Sequence, residues 1–185
     1  MENKDKFELY KKILVDWSAR MNLVAPSTLN DIDNRHIADS AQLADFLPRD
    51  AEIIDLGSGA GFPSVVLAIL GWRITGIESI GKKVSFLTEV KNRLGLDNFT
   101  IYHGRVENYV ADLDKGKKYI FTARAFAPLV KILDYVHKTK YELFLLKGRD
   151  IMTEIEVAKQ KYHFDFKLFP SKTGDGFVVR ITKGH

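Results

Sequence analysis

The chain has no cysteine. That excludes disulfides, thiolate metal sites and a cysteine nucleophile, and it fits a reducing compartment, so a cytoplasmic location is expected. Long apolar runs are missing too. The amino terminus, Met1-Glu2-Asn3-Lys4-Asp5-Lys6, leads into no hydrophobic stretch, so neither a signal peptide nor a membrane association is expected. There is no internal repeat and no low-complexity segment. Nor does one charge dominate: 28 Lys and Arg stand against 24 Asp and Glu, a formal net charge of +4. That bias is compatible with a nucleic-acid partner without requiring one. At 185 residues the chain suits one sizeable core rather than two domains. A single domain over 1–185 is expected, with helices in 1–48 packed on a core formed by 49–185. No exposed heptad seam demands a partner copy, so a monomer is expected.

Everything is arranged around Asp55-Leu56-Gly57-Ser58-Gly59-Ala60-Gly61-Phe62-Pro63. An apolar run from Ala51 to Leu56 reads as a buried strand, and the run from Ser64 to Leu70 reads as the first helix of a parallel α/β unit. Gly57, Gly59 and Gly61 sit at the turn between them, where glycine permits positive φ and close backbone approach by a ligand. Pro63 suits the first turn of the helix that follows. A second strand, Arg73 to Ile77, ends on Glu78, an acidic side chain placed to accept hydrogen bonds from both hydroxyls of an adenosine ribose. A dinucleotide fingerprint needs glycine at 62, where Phe62 stands. Gly-x-Gly-x-Gly after an acidic residue looks instead like the S-adenosylmethionine (SAM) loop of class I methyltransferases.

Taken in order, Phe7, Tyr10, Leu14, Trp17 and Met21 recur at steps of three and four, which predicts an amphipathic helix over roughly 1–22. Asn30 with Asp31 and Asp33 predicts a second helix to about Phe46, with Ile37, Ala41 and Ala44 buried. This helix carries Arg35-His36-Ile37-Ala38-Asp39-Ser40; His36 there reads either as a structural histidine or as a group facing substrate. A helix over 81–94 has Val84, Leu87, Val90 and Leu94 on its core face and Gly95 as its stop. Lys82 and Lys83 open that helix, where the macrodipole disfavours positive charge, so they are phosphate-contact candidates or merely solvated. Strands follow over 99–103, 119–123 and 141–146, with Gly104 to Asn108 as a loop after the first of them and a helix from Leu129 to Val136 after the second. A last helix over 150–161 precedes a hairpin, Phe164 to Phe169 and Phe177 to Ile181. Five βα units and a hairpin predict an α/β fold: a Rossmann-like, seven-stranded, mostly parallel sheet of the class I methyltransferase type, with an N-terminal helical extension.

From residue 7 to at least 148, these motifs resemble the bacterial small-subunit ribosomal RNA guanine-N7 methyltransferases, the family also called glucose-inhibited division protein B. The matching stretches are Trp17 through Leu23, Arg35 to Ser40, the Asp55 to Pro63 loop, Gly81-Lys82-Lys83, Arg105-Val106-Glu107, Arg124-Ala125-Phe126-Ala127 and Leu146-Lys147-Gly148. The glycine loop is shared by all class I methyltransferases; the Arg-His-Ile-x-Asp-Ser and Arg-Ala-x-Ala elements are more particular. The resemblance implies methyl transfer from SAM to N7 of a guanine in 16S rRNA, on the naked RNA or the 30S particle. It implies cofactor binding by Asp55, Gly57, Gly59, Gly61, Phe62, Glu78, Val106, Glu107 and Arg124, catalysis by Arg124 and Lys147, and RNA contacts from Arg35, His36, Lys82 and Lys83. No general base is expected, because guanine N7 is a lone-pair acceptor with no proton to remove. No metal is expected. The rival readings are a methyltransferase of another substrate class, a catalytically silent RNA-binding protein of the same fold, and an NAD-linked oxidoreductase, which the glycine spacing disfavours.

Overall fold

The computed structural model describes residues 1–184. Side chains alternate across each strand, so a strand buried on both faces must be apolar at consecutive positions. In β1 (Glu52–Leu56) Ile53 faces one core and Ile54 the other; in β5 (Lys140–Lys147) Phe144 and Leu146 face the first, Leu143 and Leu145 the second. The first core is completed by α1 (Asn3–Ser18), α3 (Ser64–Ile69) and α4 (Gly81–Leu94). The second is completed by α5 (Val106–Ala111), α6 (Leu129–Val136) and α7 (Ile151–Lys159).

The remaining strands are β2 (Arg73–Glu78), β3 (Phe99–His103), β4 (Lys118–Arg124), β6 (Phe164–Pro170) and β7 (Phe177–Lys183). They make one sheet in the order β3-β2-β1-β4-β5-β7-β6. The first five are parallel, and β7 runs antiparallel between β5 and β6. The winding reverses between β1 and β4, and a crevice opens beyond the carboxyl ends of strands at such a switch point. The expected sheet is the observed one.

Two expectations about the helices are corrected. The first helix ends at Ser18, short of 22. Residues 26–45 are not one capped helix from Asn30. They form a 3₁₀ turn (Pro26–Asp31), a π turn (Asp33–Ala38), the short α2 (Asp39–Ala41) and another 3₁₀ turn (Gln42–Asp45). The changing pitch turns His36, Ser40 and Leu43 inward, whereas Ala41 and Ala44 are only half-buried. In addition, the loop expected after β3 closes at once into α5 at Val106.

Candidate active site

The glycine turn leaves β1 with positive φ at Gly57 (75°), Gly59 (54°) and Gly61 (88°). Two of these glycines make room for side chains of the protein itself. A Cβ on Gly57 would overlap the Phe126 ring, and one on Gly61 would lie 2.5 Å from Val65 Cγ2 and 2.9 Å from the Tyr10 hydroxyl. Tyr10 is fully buried in α1, and its hydroxyl donates to the Ala60 carbonyl (2.5 Å), so the N-terminal helix grips the turn directly. Asp55 supports the turn from below. Its buried carboxylate accepts from Ser58 Oγ (3.0 Å) and Thr122 Oγ1 (3.3 Å), and burial pushes it up to about 6 while the surrounding hydroxyls oppose that rise.

Above the turn lies a cavity of about 1190 Å³. This exceeds what one small ligand needs and leaves room for a nucleoside cofactor and an acceptor base together. Glu78, at the end of β2, accepts from Gly59 N (2.9 Å) and Ile80 N (2.8 Å). Each carboxylate oxygen holds one bond, leaving acceptor capacity toward the cavity. Ile80, Val106 and Glu107 line the same end. Ile80 is 49% exposed, an apolar side chain held in the cavity wall with nothing over it.

The other end is built around Arg124, the last residue of β4. Its Nε donates to Asp39 Oδ2 (2.7 Å), its Nη2 to the Arg35 carbonyl (2.7 Å), and its Nη1 lies 3.0 Å from His36 Nδ1. The Thr28 hydroxyl donates to the Ala25 carbonyl (2.7 Å) and so accepts from His36 Nε2 (2.8 Å). That assigns the imidazole proton to Nε2 and leaves Nδ1 to accept from Arg124. His36 also stacks on Phe62, with centroids 4.9 Å apart. Burial, and then the Arg124 charge, lower His36 to about 4. The ring is therefore a neutral brace at physiological pH.

The structure brings Gly57, Gly59, Phe62, Glu78, Val106, Glu107, Arg124, Lys147, Arg35, His36 and Lys83 around one cavity. It does not bring Asp55, Gly61 or Lys82 to that lining. Asp55 and Gly61 lie beneath the turn, where they shape it, and Lys82 is exposed outside. Two of the expected site residues are already engaged within the protein. His36 is buried and bonded on both nitrogens. Lys147 donates to the Ala127 carbonyl and to Glu154 Oε2, both at 2.7 Å, with only 11% of its side chain exposed. Asp39, Ile80, Arg105, Phe126 and Thr173 line the cavity without having been singled out. Asp39, Arg105 and Phe126 lay inside motifs quoted for the resemblance; Ile80 and Thr173 carry no local signal.

A Rossmann-like sheet with an antiparallel β7, a glycine turn after β1 and a carboxylate ending β2 defines a class I SAM-dependent methyltransferase. The residues fit that cofactor: Glu78 retains acceptor capacity in the cavity, and apolar Ile80 and Val106 stand beside it. Solved structures share the fold. A glycopeptide N-methyltransferase, MtfA, superimposes with a TM-score of 0.64 at 11% identity over 83% of this chain and 99% of its own. An rRNA methylase from Streptococcus thermophilus gives 0.54 at 16% identity, over 79% and 94%.

The sequence comparisons define the family. The model for rRNA small subunit methyltransferase G matches residues 3–174. The protein of that name from Dinoroseobacter shibae is 39% identical over 93% of this chain and 91% of its own, and the one from Bartonella tribocorum 37% identical over 97% and 85%. The chain belongs to this family.

Proposed function

We propose that the chain transfers a methyl group from SAM to N7 of one guanine in 16S rRNA of the small ribosomal subunit, acting as a cytoplasmic monomer on the RNA or the 30S particle. The observation that carries this reading is one cavity with two differently equipped ends. Glu78 stands at one end with acceptor capacity for a ribose, and Arg124 stands at the other, held by three acceptors.

SAM supplies an already electrophilic methyl group when bound, so the protein has little chemistry of its own to add. N7 carries a lone pair and no proton, and no residue need act as a base. The protein's contribution is alignment, worth up to about 7–11 kcal/mol in favourable cases. Glu78 fixes the ribose, Ile80 and Val106 take the flat adenine, and Glu107 meets its polar edge. The guanidinium of Arg124 has five N–H groups, of which three are spent on Asp39, His36 and the Arg35 carbonyl. Arg124 lines the cavity, and its two remaining donors suit guanine O6, the acceptor next to N7 that adenine lacks. Lys147 shapes the floor through Glu154 and Ala127.

Incubation with tritiated-methyl SAM and small subunits from a strain lacking this methylation tests the reading. Labelled 7-methylguanosine after digestion is expected; absence of label, with SAM binding intact, would transfer the fold to another substrate class. Arg124→Ala is expected to lower the labelling rate by roughly two to three orders of magnitude, as for loss of a preorganised donor elsewhere. Near-normal turnover in that variant would remove Arg124 from the mechanism.

A further inference from the structure

The turn over residues 171–176, between β6 and β7, contributes Ser171, Thr173, Gly174, Asp175 and Gly176 to the cavity wall. Its sequence, Ser-Lys-Thr-Gly-Asp-Gly, contains no apolar side chain. Nothing hydrophobic can seat it; beyond its closing bond from Ser171 N to the Gly176 carbonyl (2.9 Å) and an exposed Arg149–Asp175 contact (3.7 Å), it is positioned by polar contacts with the N-terminal segment. Thr173 Oγ1 donates to Asp39 Oδ1 (2.9 Å). Gln42 accepts from Lys172 N (3.1 Å) and donates to Ser171 Oγ (3.1 Å), and the same Gln42 amide donates to Asp39 Oδ1 (2.9 Å). Lys172 Nζ reaches Asp45 at 2.6 Å, but both side chains are more than half exposed, so that pair adds little.

Asp39 therefore carries two duties on one carboxylate. Oδ2 holds the Arg124 guanidinium and Oδ1 holds the turn. Both Asp39 and Arg124 are only one-fifth exposed, so this pair is shielded and its geometry is restrained. Moving the turn outward removes one of the two donors on Oδ1 and leaves Gln42 alone to steady that oxygen; a carboxylate so loosened weakens one of the three bonds that aim Arg124.

We propose that Asp39 is a positioning residue of the acceptor subsite, coupling the seating of the 171–176 turn to the aim of Arg124, so that the purine is enclosed and its O6 engaged in one event. This rests on the reading of Arg124 as the contact to an acceptor guanine. The turn is the movable wall through which an extruded nucleotide enters, and its small and polar residues fit a polynucleotide backbone better than an apolar ligand.

The test uses the full chain with Asp39→Asn, Thr173→Val and the double variant. Three quantities are measured: SAM affinity by calorimetry, kcat and KM for unmethylated small subunits, and amide hydrogen exchange across 171–176 in the free protein. Asp39→Asn is expected to speed exchange in the turn, to leave SAM affinity within twofold, and to lower kcat more than it raises KM. Thr173→Val is expected to lower kcat/KM for subunits about tenfold in the parent and less than twofold in the Asp39→Asn background, since groups that act through one shared bond are non-additive. Asp39→Glu, which keeps the charge, is expected to recover part of kcat; a purely structural role would show as a lowered melting temperature with no such recovery. Additive effects of the two substitutions, or unchanged exchange in the turn, would overturn the coupling. Failure of the parent protein to label subunits would overturn the substrate reading instead, with the exchange data still deciding whether Asp39 latches the turn.

Discussion

Two buried side chains titrate in opposite senses across the same acid range. His36 is held down at about 4 from an ordinary 6.5, and Asp55 is pushed up to about 6 from 3.8, burial being the chief cause of both. Between pH 6 and 4 the unfolded chain has protonated its histidine and folded His36 has not, so acidification favours unfolding by about 1.4 kcal/mol per pH unit. Asp55 does the reverse: folded Asp55 takes up a proton the unfolded chain does not yet hold, and acidification favours folding with the same slope. The two contributions oppose each other over that window. Asp55→Asn removes one of them. The stability of that variant relative to the parent is expected to rise from pH 4 to about 6 and level off above, and its own stability to fall more steeply on acidification. Parallel pH profiles for parent and variant in thermal denaturation would show that Asp55 carries no raised pKa.

At the scale of elements, α1 both closes the first core and braces the cofactor turn. Its outer end is tied by Trp17 Nε1 to Glu89 of α4 (2.8 Å), and its inner face puts Tyr10 against both Ala60 and Phe62, the latter with centroids 5.4 Å apart. Tyr10→Phe keeps the packing and orphans the Ala60 carbonyl, a defect of about 1–3 kcal/mol for a buried polar group. SAM affinity by calorimetry is expected to drop by roughly five- to tenfold as the turn relaxes. A lowered melting temperature with unchanged affinity would mean that α1 braces the fold alone. The stripe that contains Tyr10 was legible from its helical spacing, as was α4 from Gly81 to Leu94, because Gly95 stops it in the left-handed conformation (φ 62°). The strands were legible because both-sided burial demands contiguous apolar residues. The route of residues 26–45 was not. Its π and 3₁₀ turns are set by contacts to Arg124 and to the 171–176 turn, 85 to 134 positions away, and no local pattern encodes them. The engagement of Lys147 was not legible either: its partner Glu154 is near in sequence, but only α7 brings it within reach.

For the whole molecule, the distribution of charge matters more than its sum. Arg35, Lys83 and Arg105 line the cavity and, among the described residues, none of them is in an ion pair, whereas Arg124 and Lys147 are both paired inside. The cavity thus carries three cations outside any ion pair, although the net charge of the chain is only +4. A polyanion whose phosphates pass them displaces counterions, and its affinity falls with salt in proportion to the number of phosphates neutralised. Charge reversal at Lys83 and Arg105 is expected to flatten the dependence of log affinity for small subunits on log salt by roughly 0.7–0.9 for each phosphate left without its cation. SAM affinity, measured without RNA, stays as it was if these side chains meet the polyanion alone. Lys82 provides the internal comparison, because it starts the same helix and lies outside the cavity. A smaller change of slope for Lys82→Glu than for Lys83→Glu places the RNA track across the cavity. Equal changes would mean that the RNA feels the α4 end as one diffuse charge, and no change for either would make both lysines solvent-facing bystanders.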